Sequence, residues 1–221
     1  MPVYLLSKVP FFPPVYLAEE DGLLAIGGDL SVERLLIAYS QGIFPWYSEN
    51  SPILWWSPDP RYVIFLEKFH IPKRLKRLYK HNKFTITINK DFESVIKLCA
   101  SVHKKEDGST WITKDMILAY TKLHKLGYAL SVEAWKDGKI VGGLYGVNVG
   151  RVFSGESMFS IEDNTSKLAL VHLALYLKSK GFIIIDCQTK SEHLKQFGAE
   201  PIPRSLFIKL LKENLNQNIN F

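Results

Sequence analysis

Apolar and polar positions change their period along the chain, and each change marks an element. Residues 62–66 and 84–88 read as short strands. Between them Ile71, Leu75, Leu78 and Tyr79 recur at helical spacing, with Pro72 suited to a first helical turn. Three further helices carry their own start or stop signals. Ser31 precedes 32–39 and Gly42 follows it, Asp91 precedes a helix to about 101, and Thr113 precedes 114–126 with Gly127 behind. Residues 128–135, 139–149 and 151–154 predict antiparallel strands, turning at Asp137-Gly138 and around Gly150. A long amphipathic helix is expected over 165–180, stopped by Gly181. A compact buried strand over 182–187 and a short helix over 191–197 come next. Residues 205–211 suit a strand or a helix, with the strand favoured, and the last ten residues are polar.

The first sixty residues have a different texture, dense in Pro, Gly and Trp. Pro10, Pro13 and Pro14 suggest an extended entry, and Trp46, Trp55 and Trp56 call for packing against the rest of the protein. A boundary is placed near Arg61, giving a small N-terminal domain over 1–61 and a second domain over 62–221. The fold class expected is α+β with a mixed, mostly antiparallel sheet. The order of elements after Arg61 resembles the GNAT-type acyltransferases, a fold-level analogy that carries no chemistry by itself.

Composition narrows the classes. The chain has 221 residues, 47% of them hydrophobic and 23% charged, which supports a full core and excludes a disordered chain. No apolar run reaches the roughly 18–20 residues that cross a bilayer, and Lys8 with the early prolines interrupts any signal-peptide core. Two cysteines, Cys99 and Cys187, are too few for a disulfide scaffold, and six histidines show no ligand spacing, so no metal is expected. These features describe a soluble, cytoplasmic protein with no membrane association.

Charge adds a partner. Lys68, Lys73, Arg74, Lys76, Arg77, Lys80 and Lys83 fall in sixteen residues without an acid, and without those seven the net charge of +6 becomes −1. A solvated helix face is the ordinary reading of such a run. Here like charges repel with no acid to pair them, and the cluster carries the whole surplus, so a polyanion is the better reading; an acidic membrane surface fits less well because the apolar seam is short.

Candidate chemistry lies in four places. Gly142, Gly143, Gly146 and Gly150 lack phosphate-loop spacing and read as bulges or close backbone approach. Glu156 follows a strand; a lone Glu there is ordinarily a surface residue or a helix-dipole partner, and its neighbours Phe153, Met158 and Phe159 offer the alternative of a place at the rim of an apolar hole. The strand ending Ile185-Asp186-Cys187-Gln188 places Asp186 and Gln188 on one face by its period of two, with Cys187 turned to the core. A buried acid there must be paired or open to a cleft; a satisfied structural Asp is the alternative. Trp46, Trp55, Trp56 and Trp111 either pack or stack an unpaired base.

Taken together, DGLLAIGGDLS (21–31), GIFPWY (42–47), LWWSPDPR (54–61), GSTWIT (108–113), VGGLYGV (141–147), FSGESMFS (153–160), SK (166–167) and IDCQ (185–188) resemble the leucyl/phenylalanyl-tRNA–protein transferase family over most of the chain. The resemblance implies an aminoacyltransferase with a small N-terminal domain and a GNAT-like domain. It would move Leu or Phe, less often Met, from aminoacyl-tRNA to proteins whose N-terminal residue is Lys or Arg. Such tagging marks them for degradation by the N-degron (N-end rule) pathway. It implies no cofactor, and the chain is expected to be a monomer. By the same resemblance Trp46 and Trp111 hold the 3′-terminal adenosine. Leu144, Phe153, Met158, Leu173, Leu177 and Ile185 form the side-chain pocket, and Asp186, Gln188 and Glu156 surround the reacting ester and amine. Lys73, Arg77 and Lys80 meet the acceptor stem, with Arg74 beside them. Positions 173 and 177 are Leu where the family pattern leads one to expect aromatics, and 144 is Leu where Met is expected. A CoA-dependent acyltransferase is the rival enzyme, disfavoured because 161–166 contains no glycine to cradle a pyrophosphate. A non-catalytic tRNA-binding protein is the rival of another class.

Overall fold

A computed structural model describes residues 3–81, 83–104 and 110–215. The first part of the chain builds a four-stranded sheet from β1 (Tyr4–Leu6), β2 (Leu23–Gly27), β3 (Phe44–Pro45) and β4 (Leu54–Trp56), in the order β1-β2-β4-β3. Helix α1 (Val32–Ser40) connects β2 to β3; the Ser31 hydroxyl caps it by accepting from Arg34 N, and Gly42 at φ +74° turns the chain out of it.

The second sheet has seven strands. They are β5 (Arg61–Phe65), β6 (Thr85–Ile88), β7 (Ala129–Lys136), β8 (Lys139–Val149), β9 (Val152–Ser160), β10 (Ile184–Gln188) and β11 (Glu200–Ile202), ordered β11-β5-β10-β9-β8-β7-β6. All pairings are antiparallel except β9 with β10. The helices are α2 (Lys73–Lys80), α3 (Phe92–Val102), α4 (Lys114–Lys125), α5 (Thr165–Ser179), α6 (Glu192–Lys195) and α7 (Arg204–Asn214). Asp91 and Thr113 cap α3 and α4 as their spacing predicts.

Side-chain alternation divides the sheet into two faces. Ile64, Leu144, Phe153 and Ile185 pack with Leu168, Leu173 and Leu177 of α5 on one face. On the other, Val63, Val152 and Ile184 pack with Phe207 and Leu211 of α7. Farther along the sheet, Tyr145 and Val147 share a core with α3, α4, Trp55 and Phe12. The N-terminal tryptophan region is thus welded to the large sheet through common apolar contacts.

Three sequence expectations are corrected. Residues 205–211 form helix α7, not a strand: Phe207 and Leu211 stand four apart and both are buried, which is the helical phase. The third strand of the meander does not end at residue 154 but runs to Ser160, so Glu156 lies within it rather than after it. Pro72 caps α2 from just outside rather than opening its first turn. The glycines of β8 read as expected: a Cβ on Gly142 would run into Thr165, and one on Gly146 into Ser154 O. The GSTWIT stretch is described only from Thr110 onward, and the polar tail only to Leu215.

Candidate active site

Strands β9 and β10 run side by side only from Ile184↔Val152 to Asp186↔Ser154, after which β9 continues alone to Ser160. Where they part, the sheet opens into a cleft of about 580 Å³. This is within the usual size of a small-molecule site, and it lies at the end of a buried strand, where crevices form in sheets with parallel pairs. Its apolar wall includes Leu144, Phe153, Met158, Leu173 and Ile185, together with Ile64 and Leu170. Leu177 does not reach it. Ser166, Leu170, Leu173 and Leu177 share a stripe of α5, but Leu177 stands one turn beyond Leu173 and is fully enclosed in the core.

Each of two bulges places one polar residue out of alternation. On β9, Tyr145 pairs with Ser157 and Gly146 with Gly155, so Glu156 is the extra residue. On β10, Asp186 pairs with Val63 and Gln188 with Tyr62, so Cys187 is the extra residue, and Gln188 takes a left-handed φ of +56°. Bulges re-aim side chains, and that is their consequence here. Asp186 and Gln188 do not share one face as simple alternation predicts. Asp186 turns inward to Arg61, while Gln188 turns to Glu156, with 3.3 Å between its Nε2 and Oε1.

The two carboxylates have opposite surroundings. Asp186 has no exposed surface, and its oxygens accept from Arg61 Nε and Nη2 (2.7 Å each), Ser154 Oγ (3.2 Å) and Gln188 N (3.0 Å). The guanidinium is itself sandwiched between the Phe44 and Phe207 rings and donates to Gly42 O. Glu156 keeps partial access to the cleft. The Tyr120 hydroxyl donates to its Oε2 at 3.2 Å, and since that proton is then spent, the Tyr39 hydroxyl 2.5 Å away donates to Tyr120. Burial pushes the Glu156 carboxyl up to about 7, against the lowering effect of the tyrosine hydroxyls, and the charge of Asp186 adds to the rise.

A second hollow of about 180 Å³ adjoins the cleft and shares Trp111, Glu156, Gln188 and Thr189 with it; Phe44, Pro45 and Trp46 close its far side. Trp46 is 49% exposed and packs 5.8 Å from Trp56, whose Nε1 donates to Trp46 O. Cys187, assigned to the core, does pack there, but its position in the bulge also brings it to the cleft wall. Burial raises its thiol above the ordinary range, first among the causes. Among the described residues, no group of three or more His, Cys, Asp or Glu is placed to hold a metal ion.

Residues 63–212 match the profile of the family described as Leucyl/phenylalanyl-tRNA protein transferase, and residues 28–59 match its N-terminal domain. The enzyme so named from Syntrophobacter fumaroxidans is 54% identical over 220 residues, covering 100% of this chain and 94% of its own length. That from Flavobacterium johnsoniae is 49% identical, covering 95% of this chain and 99% of its own. The chain belongs to the leucyl/phenylalanyl-tRNA–protein transferase family. It is an aminoacyltransferase. Solved structures similar to this transferase include the N-acetyltransferase region of a fungal multi-domain β-N-acetylglucosaminidase. That match has a TM-score of 0.48 and 13% identity, over 89% of this chain and 24% of that one. Another is an aminoglycoside acetyltransferase from an uncultured soil sample, with a TM-score of 0.40 and 15% identity, over 63% and 95% of the two chains.

In this transferase the basic helix α2 lies on the outer side of α5. Leu75 is buried, and Tyr79 OH meets His172 Nδ1 at 2.7 Å. Lys73, Arg74, Lys76, Arg77 and Lys80 are exposed and hold no ion pair among the described residues, whereas Lys68 pairs with Glu200 and Lys83 with Glu162. No helix among the described residues is long and apolar enough to cross a membrane. Residue-by-residue reading missed Arg61, Tyr39 and Tyr120. Arg61 stood inside a quoted motif, and a cation opening an apolar strand was its one local signal. Tyr120 shares a helix face with Met116, Ala119 and Leu123 and so reads as core.

Proposed function

We propose that this transferase takes Leu, Phe or less often Met from aminoacyl-tRNA and joins it to the N-terminal Lys or Arg of acceptor proteins. The tagged proteins become substrates of the N-degron pathway, and the reaction takes place in the cytoplasm with the chain acting as a monomer. One observation carries the reading. The apolar cleft, suited to an aliphatic or aromatic side chain, and the tryptophan-lined hollow, suited to a terminal adenosine between Trp46 and Trp111, share the wall that holds Glu156 and Gln188.

An aminoacyl ester is already activated, so the reaction needs positioning and the movement of one proton. The neutral acceptor amine attacks the ester carbonyl, a C–N bond forms, the C–O bond to the ribose breaks, and the ribose oxygen takes up the proton that the amine gives up. A free α-amino group has a reference value near 7.7–8.0. A carboxyl raised to about 7 is matched to it as a general base. While ionised, Glu156 holds the Gln188 amide nitrogen toward itself, which leaves the amide oxygen free to accept from the attacking amine. Asp186, its oxygens engaged by Arg61, Ser154 and the Gln188 backbone, acts through Gln188 as a positioning residue. Orientation of this kind can be worth about 7–11 kcal/mol in favourable cases.

The test supplies labelled Leu-tRNA and a peptide beginning with Arg. Label should enter the peptide, vanish after ribonuclease treatment of the donor, and not be replaced by acetyl transfer from acetyl-CoA. A peptide that stays unlabelled beside intact Leu-tRNA overturns the reading.

A further inference from the structure

A polar hollow of about 440 Å³ lies between α2 and the start of α5, and Arg74, Asp163, Asn164, Lys167 and Gln196 line it. It is not part of the cleft, yet the two are separated by little protein. Ser166, adjacent to Lys167, lines the cleft, and so do His193 and Leu194, close in sequence to Gln196. The first turn of α5 and the short helix α6 therefore form a thin partition, with one side facing the cationic ridge and the other facing the site of transfer. His193 reports the proximity: burial lowers its basicity first, and the Lys167 ammonium adds to the effect.

We propose that this hollow binds a backbone phosphate of the donor's single-stranded 3′ end, with Lys167 as its principal cation and Arg74 assisting. The inference rests on the aminoacyl-tRNA reading above and deepens it. Three observations carry it. The first is position, since α5 brings Lys167 to the hollow and Ser166, Leu170 and Leu173 to the cleft, so a strand entering the cleft from the ridge passes Lys167 on its way. One helical turn rises about 5.4 Å, close to one extended nucleotide step. The second is charge. Lys167 is half-buried and holds no ion pair among the described residues, and Asp163, exposed at the lip, is the hollow's one acid. The neighbouring Glu162 is engaged by Lys136 and Lys83. The third is continuity, because Arg74 belongs to both the hollow and the exposed cation row of α2.

The test uses a donor series that adds phosphates one at a time, from leucyl-adenosine through leucyl-CpA and leucyl-CpCpA to Leu-tRNA, with an Arg-initiated peptide and the full chain. For the unaltered protein, kcat/KM should step up about tenfold when the first or second phosphate is added. Lys167→Ala should erase that step and Lys167→Arg should keep it. In Leu-tRNA assays the slope of log kcat/KM against log salt should become shallower by about 0.7 in Lys167→Ala, the value for one phosphate of a single strand. An equal loss on every donor, leucyl-adenosine included, would mark Lys167 as structural and overturn the proposal, as would retention of the step. If the unaltered protein uses none of the donors, the aminoacyl-tRNA reading fails first and this one with it. If it uses them with no phosphate step, only this one fails.

Discussion

Asp186 and Glu156 occupy neighbouring strands, both at bulges, and the protein treats them in opposite ways. Around Asp186 every oxygen is engaged, the counter-charge is in van der Waals contact with two aromatic rings, and no solvent reaches the group. Glu156 has neutral partners, two tyrosine hydroxyls in series and one amide, and faces a cleft. A carboxylate given a guanidinium serves as a structural fixture. A carboxylate given neutral donors in an apolar wall is left with a raised proton affinity and can exchange a proton near neutral pH. The first group fixes the strand end from which the second is served, because Gln188 donates its backbone N–H to Asp186 and its side-chain amide to Glu156.

The sharpest way to break this contrast is to remove the guanidinium. Arg61→Leu leaves Asp186 buried without its partner, and such losses cost about 3–5 kcal/mol. Denaturant unfolding at pH 7 measures this, and a loss below about 1 kcal/mol would mean that Asp186 is not the fixture described. Next in size is Glu156→Gln, which keeps the shape and removes the titration. Transfer from Leu-tRNA should fall about 100-fold, within the range of lost general-base catalysis. The acidic limb of kcat/KM near pH 7 in the parent should disappear. Stability should move the other way. Because the folded-state value lies above the ordinary 4.5, the folded protein binds the Glu156 proton more tightly than the unfolded chain does. The parent therefore loses stability as pH rises from 4.5 through about 7. The loss is on the order of 1–3 kcal/mol, discounted for the group's partial exposure. Glu156→Gln should be the more stable protein at pH 8 and should lose that advantage at pH 4.5; equal unfolding midpoints at both pH values would contradict the raised affinity.

Legibility in the sequence followed the range of the interaction. Ser31, Asp91, Thr113, Gly42, Gly127 and Gly181 act on their nearest neighbours, so helix ends were readable from a few residues. Leu144, Phe153, Met158, Leu173 and Ile185 could be gathered into one wall through the family resemblance. Leu177 came with them through the same resemblance, and nothing local says where along α5 the cleft stops. The Arg61–Asp186 pair spans 125 residues, and the Tyr39–Tyr120 contact spans 81, so neither leaves a local trace. On β10 a bulge erased the period-two rule where it was asked to place Asp186 and Gln188, and on β9 a bulge set Glu156 within a strand expected to end before it. Residues 205–211 failed for a plainer reason: Leu206-Phe207-Ile208 followed by Leu210-Leu211 satisfies either period, and only packing on Val152 and Ile184 selects the helix.

The smallest expected effect probes the outer end of the proton-affinity device. Tyr39 stands at the outer end of the pair, its hydroxyl bonded to that of Tyr120 and itself near enough to Glu156 to lower the carboxyl's proton affinity. Tyr39→Phe removes one hydroxyl and leaves the Tyr120 hydroxyl with its single proton still directed at Glu156. Net hydrogen-bond contributions run near 1 kcal/mol, so stability should fall by about that amount. The informative readout is the acid limb of the pH profile. Donors to a carboxylate favour its ionised form, and a Tyr120 that no longer receives a hydrogen bond is a poorer donor. The limb should therefore move upward from about 7, by a few tenths of a pH unit, with the plateau rate above pH 8.5 within twofold of the parent. A plateau lowered at every pH with the limb unmoved would show that Tyr39 only packs the core and does not offset the effect of burial on Glu156.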